Sequence, residues 1–309
     1  MGYIDLHAHS TASDGELSPA ELVSTARSER LEAVALTDHD TMSGIPDFLA
    51  AALALSLPAI AGLELSAEFP GPGVLHLLVY GADPTTPDLA ELLASMQRSR
   101  EERGPRMLEL LDKIGIHLSW EELRRKTGRD AVGKAHVARL LVDHGHVPSC
   151  DVAFERYLNW GRPAYVQRLK WSTERCLAVA LAAGGVPVLA HPCLLERSYL
   201  ERARRQGGDD AGLPQRAAAH LARVVADLAA QGLRGLEVYY PHQSVGQQKR
   251  YETLAELYGL LKTGGSDYHG EQVKPGIVLG RGADGDTRVP AALLPPLLAE
   301  IDRLKESYK

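Results

Sequence analysis

Tyr3-Ile4-Asp5-Leu6-His7-Ala8-His9 decides how the rest of the chain is read, because it joins a strand to a pair of metal-ligating side chains. Tyr3–His7 has the apolar content of a buried strand, and His7-Ala8-His9 ends it. In extended backbone, residues two apart project to the same side, so both imidazoles can face one ion. The same grammar then recurs. Leu31–Thr37 runs into Thr37-Asp38-His39-Asp40, Pro58–Glu64 ends on a carboxylate, and Val74–Gly81 carries His76. Val186–Ala190 runs into His191-Pro192, and Arg234–Tyr239 follows. Leu261–Gly265 leads into Ser266-Asp267-Tyr268-His269-Gly270.

These segments are rich in Val, Leu and Ile and are bounded by Gly or Pro, as buried parallel strands should be. Helical patterns alternate with them. Ser18-Pro19 with Glu21 gives a helix start: a capping serine, proline in the first turn and glutamate at the third position. Seven strands interleaved with helices predict an α/β fold, a distorted seven-stranded barrel whose third and fourth strands are joined more directly. Two segments interrupt the rhythm. Residues 97–168, with helices over Met96–Ile114 and Val132–His144, read as an inserted helical subdomain, leaving 1–96 and 169–309 as the barrel. Cys193–Gln215 reads as a second insertion, with a basic run (Arg202, Arg204, Arg205) and a mobile loop at Gly207-Gly208-Asp209-Asp210.

In β/α barrels the C-terminal strand ends face a shared pocket. That convergence would gather His7, His9, Asp14, His39, Glu64, His76, His191, Asp267 and His269. Imidazole and carboxylate without thiolate suit manganese, zinc or iron. Six histidines and three carboxylates are too many for one ion, and a bridging carboxylate such as Glu64 would hold two. His117, His144, His146 and His220 lie away from strand ends and are read as ordinary surface or packing residues. Ser10 and Ser266 lie near the site, but no Ser-His-Asp arrangement can be traced around them.

Composition limits the partners. A formal charge of −6 argues against a surface for duplex DNA. No stretch approaches the roughly 20 apolar residues of a membrane span, and no basic leader precedes Tyr3, so a cytoplasmic location is the expectation. Cys150, Cys176 and Cys193 are too scattered for a disulfide framework, and Cys176 reads as helix core. Nothing points to a protein partner.

In order and spacing, His7-Ala8-His9, Thr37-Asp38-His39-Asp40, Ala190-His191-Pro192 and Gly265–Gly270 resemble the four motif regions of the PHP (polymerase and histidinol phosphatase) family. The resemblance extends to the stand-alone branch through Lys134-Ala135-His136-Val137-Ala138, Gly161–Val166 and Lys274-Pro275-Gly276. It implies two or three divalent metals. His7, His9, Glu64 and Asp267 would hold the first, Glu64, His76 and His191 the second, and Asp14, His39 and His269 the third. Asp40 would orient a ligating histidine. The implied reaction is phosphate ester hydrolysis by metal-bound hydroxide, with Asp14, His39, Glu64, His191 and Asp267 as the catalytic set. The implied substrates are nucleoside 3′,5′-bisphosphates or short 5′-phosphorylated oligonucleotides. Histidinol phosphate and a non-catalytic metal-binding module are the alternatives.

The chain departs from that branch where phosphate would be gripped. Lys134 stands in place of an arginine, and a lysine offers a point charge without the bidentate fork. Leu194 follows Ala190-His191-Pro192 where an arginine is usual, which makes Arg197 the candidate replacement. His242 comes one place early. Lys134, His136, Arg197 and His242 are therefore the expected substrate-binding residues.

Overall fold

The structure is a computed structural model that describes residues 2–71, 73–127, 133–167, 169–207 and 210–307. Its first half-turns follow from local chemistry. β1 (Tyr3–Asp5) is short, but backbone bonds continue beyond it through Leu6, Ala8 and His9. α1 (Pro19–Ser28) starts at the expected capping box: Ser18 Oγ accepts from the Glu21 N–H, and Glu21 Oε2 accepts from the Ser18 N–H at 2.8 Å. β2 (Ala33–Leu36), α2 (Ile45–Ala54), β3 (Ala59–Glu68) and β4 (Leu75–Tyr80) follow.

β1, β2 and β3 pair in parallel, but β4 runs antiparallel to β3. Residues 69–74 are too short a connection for a parallel crossover, so the chain can only fold straight back. That hairpin corrects one expectation. β3 continues to Glu68, and Glu64 sits inside the strand opposite Leu78 instead of ending it.

After α3 (Pro87–Asp112), α4 (Trp120–Thr127), α5 (Lys134–Asp143) and α6 (Cys150–Ala153), the two-residue β5 (Trp171–Ser172) pairs with the end of β3. α7 (Thr173–Ala182) leads to β6 (Val186–Leu189), antiparallel to β4. Next come α8 (Pro192–Arg205), α9 (Leu213–Ala230), β7 (Gly235–Tyr239), α10 (Val245–Leu257) and β8 (Leu261–Gly264). β9 (Ile277–Val278) and β10 (Gly282–Ala283) form a small hairpin, β11 (Val289–Pro290) lies antiparallel to β1, and α11 (Leu294–Ser307) ends the chain.

The sheet order β11-β1-β2-β3-β4-β6-β7-β8 is nearly a closed barrel. The last strand returns to the first: Leu6 N–H donates to the Gly264 carbonyl at 3.1 Å and Asp267 N–H to the His7 carbonyl at 2.8 Å. Ile4, Leu6, Ala35, Val186 and Val188 fill the interior together with Leu297 and Ile301 of α11. The stretch expected as a second insertion is a pair of helices, α8 and α9, serving as the crossover from β6 to β7. Its basic run closes the last turn of α8, where cations offset the helix dipole. Gly208 and Asp209, in the expected loop, lie outside the described residues, as does Val132 at the expected helix start.

The chain divides into two units, Met1–Ala90 with Trp171–Lys309, and Glu91–Lys170. The second has its own core, including Met107, Leu111, Leu123, Val137, Leu141 and Leu158. Cys176 is fully buried on α7, as expected for a core thiol. No described helix is long and apolar enough to cross a membrane.

Candidate metal centre

The strand ends aim their polar side chains at one point. His7 and His9 flank Ala8, which is buried and bridges to Tyr268. Their Nε2 atoms lie 3.2 Å apart, as expected for two residues on one side of an extended chain. Glu64 stands at the centre. Its Oε2 lies 3.2 Å from His7 Nε2, 3.2 Å from His9 Nε2 and 3.1 Å from His39 Nδ1. Its Oε1 lies 2.7 Å from His76 Nδ1 and 2.8 Å from His191 Nε2. Five imidazoles therefore crowd one carboxylate that is 1% exposed.

Several neighbours fix the rings. Glu237 on β7 is fully buried, and its Oε1 accepts from His7 Nδ1 at 2.9 Å. That bond assigns the proton to Nδ1 and leaves the Nε2 lone pair facing the cluster. The other Glu237 oxygen accepts from the His191 N–H at 2.5 Å. The Asp267 carbonyl takes His269 Nδ1 at 2.9 Å, which likewise frees Nε2. His191 and Asp267 have φ of 30° and 53°. Such left-handed backbone is strained for residues other than glycine, and here it falls on two side chains turned into the site.

The remaining buried carboxylates tie down loops. Asp5 accepts from Ser266 Oγ at 2.6 Å and from the N–H groups of His7, Ser266 and Gly280. Asp38 accepts from the Ser10 N–H and Oγ and from Ser13 Oγ. Asp40, expected to orient a histidine, accepts from the Ser66 N–H at 2.7 Å and Oγ at 3.0 Å. It thereby pins β3 two residues beyond Glu64. On the other side of the cluster, Asp267 Oδ2 accepts from Tyr240 Oη at 2.8 Å and pairs with Lys274 Nζ at 2.5 Å. Its Oδ1 faces His7, His9 and His269.

Among the described residues, three groups have ligand atoms close enough to share an ion: His7, His9, Glu64 and Asp267; His39, Glu64 and His76; and His9, Asp14, His39 and His269. The first matches the expected set. In the second, His39 joins where His191 was expected, although His191 touches the same oxygen of Glu64 as His76 does. In the third, His9 is added. Asp14 lies 3.5–3.9 Å from His269, His39 and His9, at or beyond hydrogen-bond reach.

These residues fit bound cations. The buried Nδ1 atoms of His9 and His191 have no hydrogen-bond partner, and His39 Nδ1, though 3.1 Å from Glu64 Oε2, is not aligned for a hydrogen bond to it. Electrostatics point the same way. Burial disfavours charged His7, yet Glu237, Asp267 and Glu64 carry it well above the ordinary imidazole value. His9 is likewise raised, against burial, to about 9 by Asp267 and Glu64. Burial drives His39 the other way, down to about 3, despite Glu64. Without metal, protons must supply positive charge that divalent ions would otherwise bring, and the rings cannot all carry one.

The cluster opens into a cleft of about 940 Å³. Arg197 on α8 and His242, just before α10, line it, as do Lys274 and Tyr240. Lys134 and His136 belong to the other unit. Both lie in the first turn of α5 behind Gly133, where Lys134 Nζ sits 4.5 Å over the Tyr165 ring and His136 Nδ1 accepts from the Gly133 N–H. His117, His144, His146 and His220 fall outside the three groups found among the described residues; His220 stacks on Tyr199 at 4.9 Å. Glu237 was not anticipated, although a carboxylate inside Gly-Leu-Glu-Val-Tyr is a usable signal. In the sequence Lys274 stands out only through the family-like segment Lys274-Pro275-Gly276, and nothing singles out Tyr240.

Comparison with known proteins gives a consistent picture. The PHP domain model matches residues 5–159. A 3′,5′-nucleoside bisphosphate phosphatase from Chromobacterium violaceum is 33% identical over 87% of this chain and 88% of its own length. A 5′-3′ exoribonuclease from Haemophilus influenzae is 34% identical over 86% of this chain and 89% of its own. The solved structure of a proposed metal-dependent phosphoesterase from Bifidobacterium adolescentis superposes with a TM-score of 0.74 at 28% identity, covering 97% of this chain and 96% of the other.

Proposed function

Because this chain belongs to the PHP domain family, we propose that it is a cytoplasmic metal-dependent phosphoesterase acting on nucleotides with two phosphates one ribose apart. Nucleoside 3′,5′-bisphosphates and short 5′-phosphorylated oligonucleotides both have that chemistry. The observation that carries the reading is Glu64, whose two oxygens lie 2.7–3.2 Å from five imidazole nitrogens at the mouth of a barrel. The relatives that act on nucleoside bisphosphates and on RNA 5′ ends support the substrate class.

His7, His9, Glu64 and Asp267 would hold one ion. Glu64 with His76, His39 and His191 would hold a second, and Asp14, His39, His269 and His9 a third. Manganese is the proposed metal, with zinc or iron also matching the donor set. Bound divalent ions acidify water and offset charge on the phosphoryl oxygens. The chain's own residues do the rest. Glu237 and the Asp267 carbonyl keep His7 and His269 in the ligating tautomer. Lys274 and Tyr240 hold one oxygen of Asp267, so the other faces the cluster. Arg197 and His242 line the cleft as proposed phosphate grips. Lys134 and His136 keep that proposed role on the family resemblance alone.

The test is a turnover screen with manganese over an aryl phosphate, histidinol phosphate, nucleoside monophosphates, nucleoside 3′,5′-bisphosphates and 5′-phosphorylated dinucleotides, with a chelator as control. Preference for substrates bearing two phosphates supports the reading. Turnover of histidinol phosphate alone would replace it.

A further inference from the structure

The metal groups occupy one part of the cleft, while α8, α9 and α10 build another wall. On that wall Glu196 is only 5% exposed despite its charge. A buried carboxylate is costly unless its oxygens are satisfied. Here every donor to it comes from α10: Tyr251 Oη at 2.8 Å, Gln247 Nε2 at 3.1 Å, and Arg250 Nη2 at 3.2 Å to each oxygen. Arg250 remains about half exposed and lines the same cleft as the metal ligands. Its bonds to Glu196 use Nη2 alone, so Nε and Nη1 keep their donors for another partner.

We infer that Arg250, braced by Glu196, receives the distal phosphate of the substrate. This rests on the phosphoesterase reading and names its specificity residue. A phosphate one ribose away from the scissile phosphorus lies beyond the ions and needs a protein cation. Of the cations lining the cleft, Lys274 is committed to Asp267, and Arg197, exposed on α8 as Arg250 is on α10, is not braced by a buried carboxylate among the described residues. Arg250 is held in place before substrate arrives, so less side-chain freedom is lost on binding. Its guanidinium presents the fork that suits a phosphate. Leu194, Leu200 and Ala217 on the same wall offer an apolar surface for the nucleoside. In this chain the position two residues after His191-Pro192, where the resemblance leads one to expect an arginine, is Leu194, so the anion-binding role falls to α10.

A purely structural tie between α8 and α10 would make a different prediction. Arg250→Gln removes the charge but keeps a donor for Glu196. The manganese-loaded full-length variant is assayed on adenosine 3′,5′-bisphosphate, adenosine 3′-monophosphate and p-nitrophenyl phosphate, with thermal melting alongside. The expected result is a loss of about 10-fold or more in kcat/KM for the bisphosphate, carried mainly by KM. The other two substrates should stay within about twofold, and the melting temperature should stay near wild type. Glu196→Gln should produce the same selective loss at smaller size, because the brace is loosened while Arg250 remains. Equal losses on all three substrates, or no change on any, overturn the role of Arg250 while leaving the phosphoesterase reading intact. Wild-type protein that hydrolyses none of the three overturns both.

Discussion

The barrel mouth and the α4–α5 surface are built from the same ingredients, histidines beside carboxylates, and behave as opposites. On α4 and α5, His144 Nε2 lies 2.9 Å from Glu122, while Lys126 pairs with Asp143 at 2.8 Å and Glu122 at 3.2 Å. Each charge there has water beside it and one or two partners of opposite sign. At the barrel mouth Glu64 is 1% exposed and faces five rings, and the rings face one another. A solvated network is screened by salt and adds little to stability. A buried, over-supplied cluster leaves lone pairs pointing at each other and calls for cations. Burial and convergence, more than residue type, separate a metal site from a surface network.

The comparison breaks most easily at Asp267. Asp267→Asn keeps the shape and the contact with Tyr240 but removes a charge facing three imidazoles. Turnover should fall on the order of 100-fold or more, with the circular dichroism spectrum unchanged. Near-wild-type turnover at saturating metal would place Asp267 outside the site. Glu237→Gln should cost roughly 10- to 100-fold in metal affinity or activity, since the amide keeps one acceptor oxygen where the carboxylate serves both His7 Nδ1 and the His191 N–H. Competition with a fluorescent chelator measures it directly, and unaltered affinity would make Glu237 a packing residue only.

The smallest effect belongs to the surface. His144→Ala should leave turnover unchanged and move the melting temperature by less than about 2 °C, the shift falling further at 0.5 M salt. A loss of activity comparable to Asp267→Asn would mean that the α4–α5 network is not the bland region that its exposure implies.

Much of the site was legible in the sequence because the ligands sit next to strand signals. His7-Ala8-His9, His191-Pro192 and Asp267-Tyr268-His269 each follow an apolar run, and the barrel rule brings such ends together. The capping box at Ser18 was legible because it is purely local. What escaped depends on distant partners. The direction of β4 is set by a short connection, whose length alone should have favoured a hairpin. Asp40 turns to Ser66 because β2 and β3 are in parallel register, which spacing does not reveal. Glu196 sits in an α8 stretch of ordinary amphipathic composition, and its burial is decided by α10 some fifty residues later. Lys274 reaches Asp267 through a loop with no periodicity to read.

The central claim is that Glu64 bridges ions in this cluster. A crystal structure of the manganese-loaded protein, with anomalous scattering used to place the metal, tests it most directly. The account predicts at least two manganese ions within about 4 Å of each other, both touching Glu64, with His7, His9 and Asp267 completing the shell of one. A single ion, or ions held instead by His117 or His220 while Glu64 contacts none, would contradict it.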